Sequence, residues 1–236
     1  MFFFQFKFMV KFLVIGDLHG RKPLIKTKDF DAIIQIGDVC DDRKIGKLYK
    51  KWFHHLKTIN EGSISEINFE DFVKKELKVS NKQIKKWEKE SLQKGREILT
   101  YLNSFNKPVF FIPGNWDQSY GKSKIKNINK SNYHYLRAFL EWYLAKRSNP
   151  KLTKGLKNVK DCQFKLREFK GINIFGIGLE SGSVDISRRK KIKEVNEKQL
   201  KFLKSLQGRI EDRLTNLFKK AKQNKQPIIF LTHNVP

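Results

Sequence analysis

Three segments far apart in the chain place metal-ligand residue types directly after a glycine: Gly16-Asp17-Leu18-His19, Gly37-Asp38-Val39-Cys40-Asp41 and Gly114-Asn115-Trp116-Asp117. A fourth, Thr232-His233-Asn234-Val235-Pro236, closes the chain. Carboxylates, imidazoles and an amide oxygen in this order suit hydrolysis at two divalent cations. Two such ions about 3.5–4 Å apart bind phosphate oxygens and hold a bridging hydroxide, lowering the pKa of that water toward neutrality. Asp17 and His19, two residues apart on an extended turn, reach one metal, and Asp38 at the next turn bridges. Asn115 offers the second metal a ligand without charge, and His233 adds an imidazole. His, Asp and Asn ligation admits Mn, Fe, Zn, Co or Ni. Each residue alone is an ordinary turn former, because Asp and Asn favour turns. The four together, each after an apolar run, are not explained that way.

Those runs are the elements that must position the ligands. Residues 10–15, 31–36, 108–112, 171–177 and 227–231 are short, mostly apolar and followed by turn residues, and predict buried strands. Ligands in α/β sheets gather outside the C-terminal strand ends, where all four motifs fall. Alternation at Phe6, Phe8 and Val10 predicts a strand leading into the first. Between strands, Ser80 is expected to cap a helix with Ile84, Trp87, Ile98, Leu102 and Phe105 on one stripe. A second amphipathic helix is expected over 192–218, interrupted at Gly208, and an aromatic one over 133–144. The stretches 42–107 and 118–160 are long for single connections. They are read as a helical insertion and a basic insertion, the latter poor in strand signals, within one domain spanning 1–236.

The segments GDLHG, GDVCD, PGNWD and THNVP resemble the signature of the calcineurin-like metallophosphoesterase superfamily, whose motifs run DxH, GDxxD, GNH(D/E), a lone His and GHxH. The resemblance implies an α/β sandwich of two β-sheets flanked by helices. It implies Asp17 and His19 on one metal, Asp38 between the metals, and Asn115 and His233 on the other. Asp38, Asn115 and the residue at 116 would be catalytic, with Asp41 and Asp117 supporting. The implied function is a metal-dependent phosphoesterase acting on phosphomonoesters or phosphodiesters. Two departures stand out. Trp116 occupies the position of the family's His, and indole donates one N–H but cannot act as an acid. Loss of a general acid costs roughly 10²–10⁴-fold, least for substrates with acidic leaving groups. Trp116 is expected to wall the site or stack on a base. GHxH does not follow before Pro236, so C-terminal strands are expected to be missing and metal binding to be weak. A non-catalytic metal- or phosphate-binding module is the alternative from another class. Asp42 and Arg43, next to the second motif, are placed to face substrate, though no pattern fixes this.

Composition adds a weaker pointer. The 236 residues carry 50 Lys+Arg against 24 Asp+Glu, a formal net charge of +26, which attracts phosphorylated substrates or nucleic acid. Over 118–170 the sequence holds 14 Lys+Arg and 3 Asp+Glu, which motivates a nuclease as the second enzymatic reading. A bias toward Lys, Asn, Ile and Phe is the plainer account of the total charge. Two cysteines make no disulfide framework. The apolar N-terminus, interrupted by Lys7 and Lys11, has neither a signal-peptide pattern nor the length of a spanning helix. A cytoplasmic location and no membrane partner are expected.

Overall fold

The computed structural model describes residues 9–58, 69–114, 116–117, 152–178 and 197–233. Phe6 and Phe8 of the N-terminal alternation, the aromatic segment 133–144 and Asn115 lie outside these residues. Four strands, β1 (Phe12–Ile15), β2 (Ala32–Gln35), β3 (Val109–Phe111) and β4 (Val159–Asp161), form a wholly parallel sheet in that order. A second sheet joins β5 (Arg167–Phe169), β6 (Ile172–Ile177) and β7 (Ile228–Thr232); β5 is antiparallel to β6, and β7 parallel. Helices α1 (Arg43–Thr58), α2 (Phe69–Lys75) and α3 (Asn81–Asn103) lie between β2 and β3, and α4 (Glu197–Gln223) precedes β7.

Strand alternation explains the layers. Successive side chains of a strand point to opposite faces. Ile33, Val109 and Phe111 turn to one side, where Ile98, Leu99 and Leu102 of α3 and Leu152 meet them. Ala32, Ile34, Phe110 and Ile112 turn to the other, against Cys162, Ile174 and Leu231 of the second sheet. Every residue of β2 is buried, as the middle of a parallel sheet covered on both faces requires. At 25 cal/mol per Å² of apolar area, burying one such side chain contributes roughly 1.5–3 kcal/mol, so β2 and β3 anchor the whole site.

Ser80 caps α3 as its type predicts, its Oγ accepting the Gln83 N–H at 3.2 Å. α3 ends at Asn103, and Phe105 packs beyond it against Phe30. Three sequence expectations are corrected. β4 forms from Val159–Asp161, although that neighbourhood carries no strand signal. β5 was also unforeseen; its hairpin turns at Lys170-Gly171, both at positive φ (47° and 73°), the backbone of a tight two-residue loop. α4 runs through Gly208 without interruption, since one glycine in a helix costs only about 1 kcal/mol. No helix among the described residues is long and apolar enough to cross a membrane.

Candidate metal centre

The loops that leave β1 and β2 run side by side and extend the parallel pairing past the sheet. The Asp17 N–H donates to the Gly37 carbonyl at 3.2 Å, His19 to Asp38 at 2.7 Å and Gly20 to Val39 at 3.0 Å. Asp17, His19 and Asp38 all take left-handed backbone conformations, with φ of 52°, 45° and 53°. Asp and His tolerate that region better than most residues, yet strain of this kind costs on the order of 1–3 kcal/mol per residue and clusters at functional sites. Gly37 is fixed at φ 95°, and a Cβ there would stand 2.6 Å from Gly114 Cα and 2.8 Å from His233 Nδ1. Buried Gln35 brackets it, accepting the Gly37 N–H at 2.9 Å and donating to its carbonyl at 2.8 Å.

Ligand atoms of Asp17, His19 and Asp38 lie within 4.8 Å of one another. Asp38 is buried, and its two oxygens have different tasks. Oδ1 accepts the backbone N–H of Trp116 at 2.9 Å. Oδ2 stands between two imidazoles, 3.8 Å from His19 Nε2 and 3.4 Å from His233 Nε2. His233 arrives from the end of β7. Its Nδ1 sits 2.7 Å from the Ile36 carbonyl. A carbonyl only accepts, so Nδ1 carries the proton in that contact and Nε2 is turned to Asp38. The structure thus brings Asp17, His19, Asp38 and His233 together.

Burial alone would lower the His233 pKa, but hydrogen bonding to Asp38, the charge of Asp38 and the Ile36 carbonyl outweigh it, lifting the ring to about 9. The proton-bearing form is therefore favoured by folding. Its contribution to stability is complete below the ordinary value of 6.5 and disappears as pH rises through 9. Thermal melts of the metal-free chain are expected to show a falling midpoint between those limits. The fall should vanish in His233→Gln, while an unchanged slope in that variant would reassign the effect.

Asp117 is fully buried and ties the third loop to the second. Its Oδ1 accepts the Val39 and Cys40 N–H groups, each at 2.9 Å, and its Oδ2 accepts Gly114 N–H at 2.8 Å. Burial, then the Asp38 charge, push its carboxyl up to about 6, against the pull of those donors. Asp41 stands apart from the cluster. It takes three hydrogen bonds from Arg43, between 2.6 and 3.0 Å, and these hold its carboxyl below the usual range. The Trp116 indole leans edge-on against Tyr49 of α1, with ring centroids 5.9 Å apart. Sequence reasoning missed Gln35, whose signal is a lone amide in an apolar strand, and the approach of Asp42 Oδ1 to His19 Nδ1 at 3.3 Å.

The donor set suits divalent cations. It combines a buried carboxylate oxygen flanked by imidazole nitrogens with the more exposed Asp17 carboxylate, 59% accessible at its side chain. A family model described as calcineurin-like phosphoesterase matches residues 10–236. No curated protein matches the sequence. A crystal structure matches with a TM-score of 0.40 and 16% identity over 72% of this chain and 53% of that one, a likeness too slight to carry an argument. The chain spans about half the length of that structure.

Proposed function

We propose that this chain, which belongs to the calcineurin-like phosphoesterase family, hydrolyses phosphoesters with the help of two divalent cations gathered at Asp38. The observation that carries the reading is the position of Asp38 Oδ2 between the Nε2 atoms of His19 and His233, with Asp17 beside them. Asp17 and His19 would hold one ion, His233 the other, and Asp38 would bridge. Asn115, next in sequence to Trp116, whose N–H Asp38 Oδ1 accepts, is proposed as a further ligand of the second ion. When bound, the cations supply Lewis acidity for the phosphate oxygens and a nucleophilic water near neutral pH.

The chain's own residues do the rest. The Ile36 carbonyl holds the His233 proton on Nδ1 and turns Nε2 toward Asp38, where a bound cation would displace the second proton that the ring carries below about 9. The Trp116 N–H occupies Asp38 Oδ1 and leaves Oδ2 to the site. Asp117 and Asp41 lie off the cluster, Asp117 clamping the loops and Asp41 engaged with Arg43, which fits their proposed supporting roles. Trp116 is proposed to exclude water rather than to move a proton. Substrates whose leaving groups depart as stable anions are then favoured. With Mn²⁺, aryl phosphates are expected to turn over at least about 10²-fold faster than alkyl phosphates of similar size. Paired monoester and diester substrates, and an oligonucleotide as a third arm, report the substrate class. No Mn²⁺-dependent, chelator-sensitive turnover of any of them would overturn the enzymatic reading in favour of a binding module.

A further inference from the structure

His19 is approached at both ring nitrogens. Nε2 faces Asp38 Oδ2 on the side of the cluster, and Nδ1 points the other way, to Asp42 Oδ1 at 3.3 Å. Nδ1 is buried and has no aligned hydrogen-bond partner. The two observations agree once angle is separated from distance: the oxygen is already within hydrogen-bond reach, and only the alignment is open. A buried polar atom left in that state carries a desolvation cost that a bond would relieve.

The Asp42 backbone is well held. Its carbonyl accepts the Gly46 N–H at 2.6 Å as the first bond of α1, so the residue sits at the helix entrance. The cations nearest in sequence are committed elsewhere. Arg43 turns its guanidinium to Asp41, and Lys44 pairs with Glu90 at 2.6 Å. The acidic group that faces Nδ1 is Asp42, whereas Asp38 is the one that faces Nε2. Histidines that ligate metals usually give their other N–H to a carboxylate or a carbonyl, which fixes tautomer and ring plane and makes the ligating nitrogen more basic.

We propose that Asp42 is the carboxylate that takes the Nδ1–H of His19 and so presents Nε2 to a metal beside Asp38. It is a positioning residue and touches no substrate. The inference rests on the reading of His19 as a ligand given above. It gives the two imidazoles of the site different anchors: a neutral carbonyl for His233 and a charged carboxylate for His19.

Zn²⁺ and Mn²⁺ titration of the intact chain by calorimetry tests it, together with the ¹⁵N shifts of the His19 ring in the Zn²⁺-loaded protein. Asp42→Ala is expected to weaken metal binding about 10–100-fold and to abolish the Nδ1-protonated signature. Asp42→Asn keeps a neutral acceptor and is expected to recover part of both. Asp42→Ser retains a helix-entrance residue type with a side chain too short to reach His19, and serves if the alanine variant does not fold. A merely structural role would lower the melting temperature of these variants without moving the ring signature. Wild-type affinity and an unchanged signature in Asp42→Ala, alongside lost binding in Asp38→Ala, would overturn the Asp42 role and leave the site standing. Wild-type binding in Asp38→Ala would instead overturn the metal site itself.

Discussion

Gly114→Ala is expected to destabilise the chain by about 4 kcal/mol, near the upper end of single substitutions, and to lower the melting temperature by roughly 10 °C. The cause is a collision with the most constrained part of the site. A Cβ at Gly114 would overlap Asp38 Oδ1 and its backbone nitrogen and lie 2.7 Å from Asp38 Cγ. Neither partner has room to move. Asp38 is at φ 53°, and its Oδ1 is already held by Trp116 N–H. The loop carrying Gly114 is held in turn by Asp117 through Val39, Cys40 and Gly114 itself. Relief would require pulling the second and third loops apart and breaking three buried hydrogen bonds to a carboxylate, each worth about 1.5–3 kcal/mol when one end is charged. The melting temperature in chelator checks this directly. A shift under 2 °C would mean that the loops are looser than their contacts imply.

Asp38→Asn separates the fold from the chemistry. The amide oxygen can still accept the Trp116 N–H, so the metal-free protein is expected to stay folded. The second position then presents an NH₂ group between His19 and His233 in place of an anionic oxygen. Both metals would lose their shared ligand. Removal of a residue that only supports a ligand costs about 10–100-fold in affinity or activity, so loss of Asp38 itself should exceed that range in Mn²⁺ binding and in turnover. The same change should act on His233 without any metal. Asp38 is the chief group raising its pKa, so an NMR titration should show the ring moving down from about 9. Turnover equal to the wild type would remove Asp38 from the site. A His233 titration that stays near 9 would show that another group holds its proton.

How far the sequence led depended on the kind of contact involved. β2 and β3 were legible because a strand buried on both faces must be apolar, and a sharp turn after it calls for glycine. Asp17, His19 and Asp38 followed, since each sits at such a turn, and His233 followed as a histidine directly after an apolar strand. β4 and β5 were not legible. VKD and REF have three residues each, two of them charged in each, and they exist because Val109 and Ile174 lie opposite to pair with them. Gly208 read as a break because propensity is local, while α4 is held by packing such as Phe218 on Phe175, ring centroids 4.8 Å apart. Within the site, the orientation of Trp116 depends on Tyr49, and the reach of Asp42 depends on where α1 begins. Both are consequences of tertiary placement that a motif does not encode.

The contact between His233 and the Ile36 carbonyl joins residues 197 positions apart. Closing so long a loop costs entropy, which the β6–β7 pairing and the packing of Leu231 help to offset. A ribosome-bound chain therefore displays Asp17, His19 and Asp38 well before it holds His233. Ions that need all four residues have no high-affinity seat on such an intermediate. Once seated, such ions would stabilise only the closed form, in proportion to the logarithm of their concentration. Metal occupancy would then report that β7 has paired with β6.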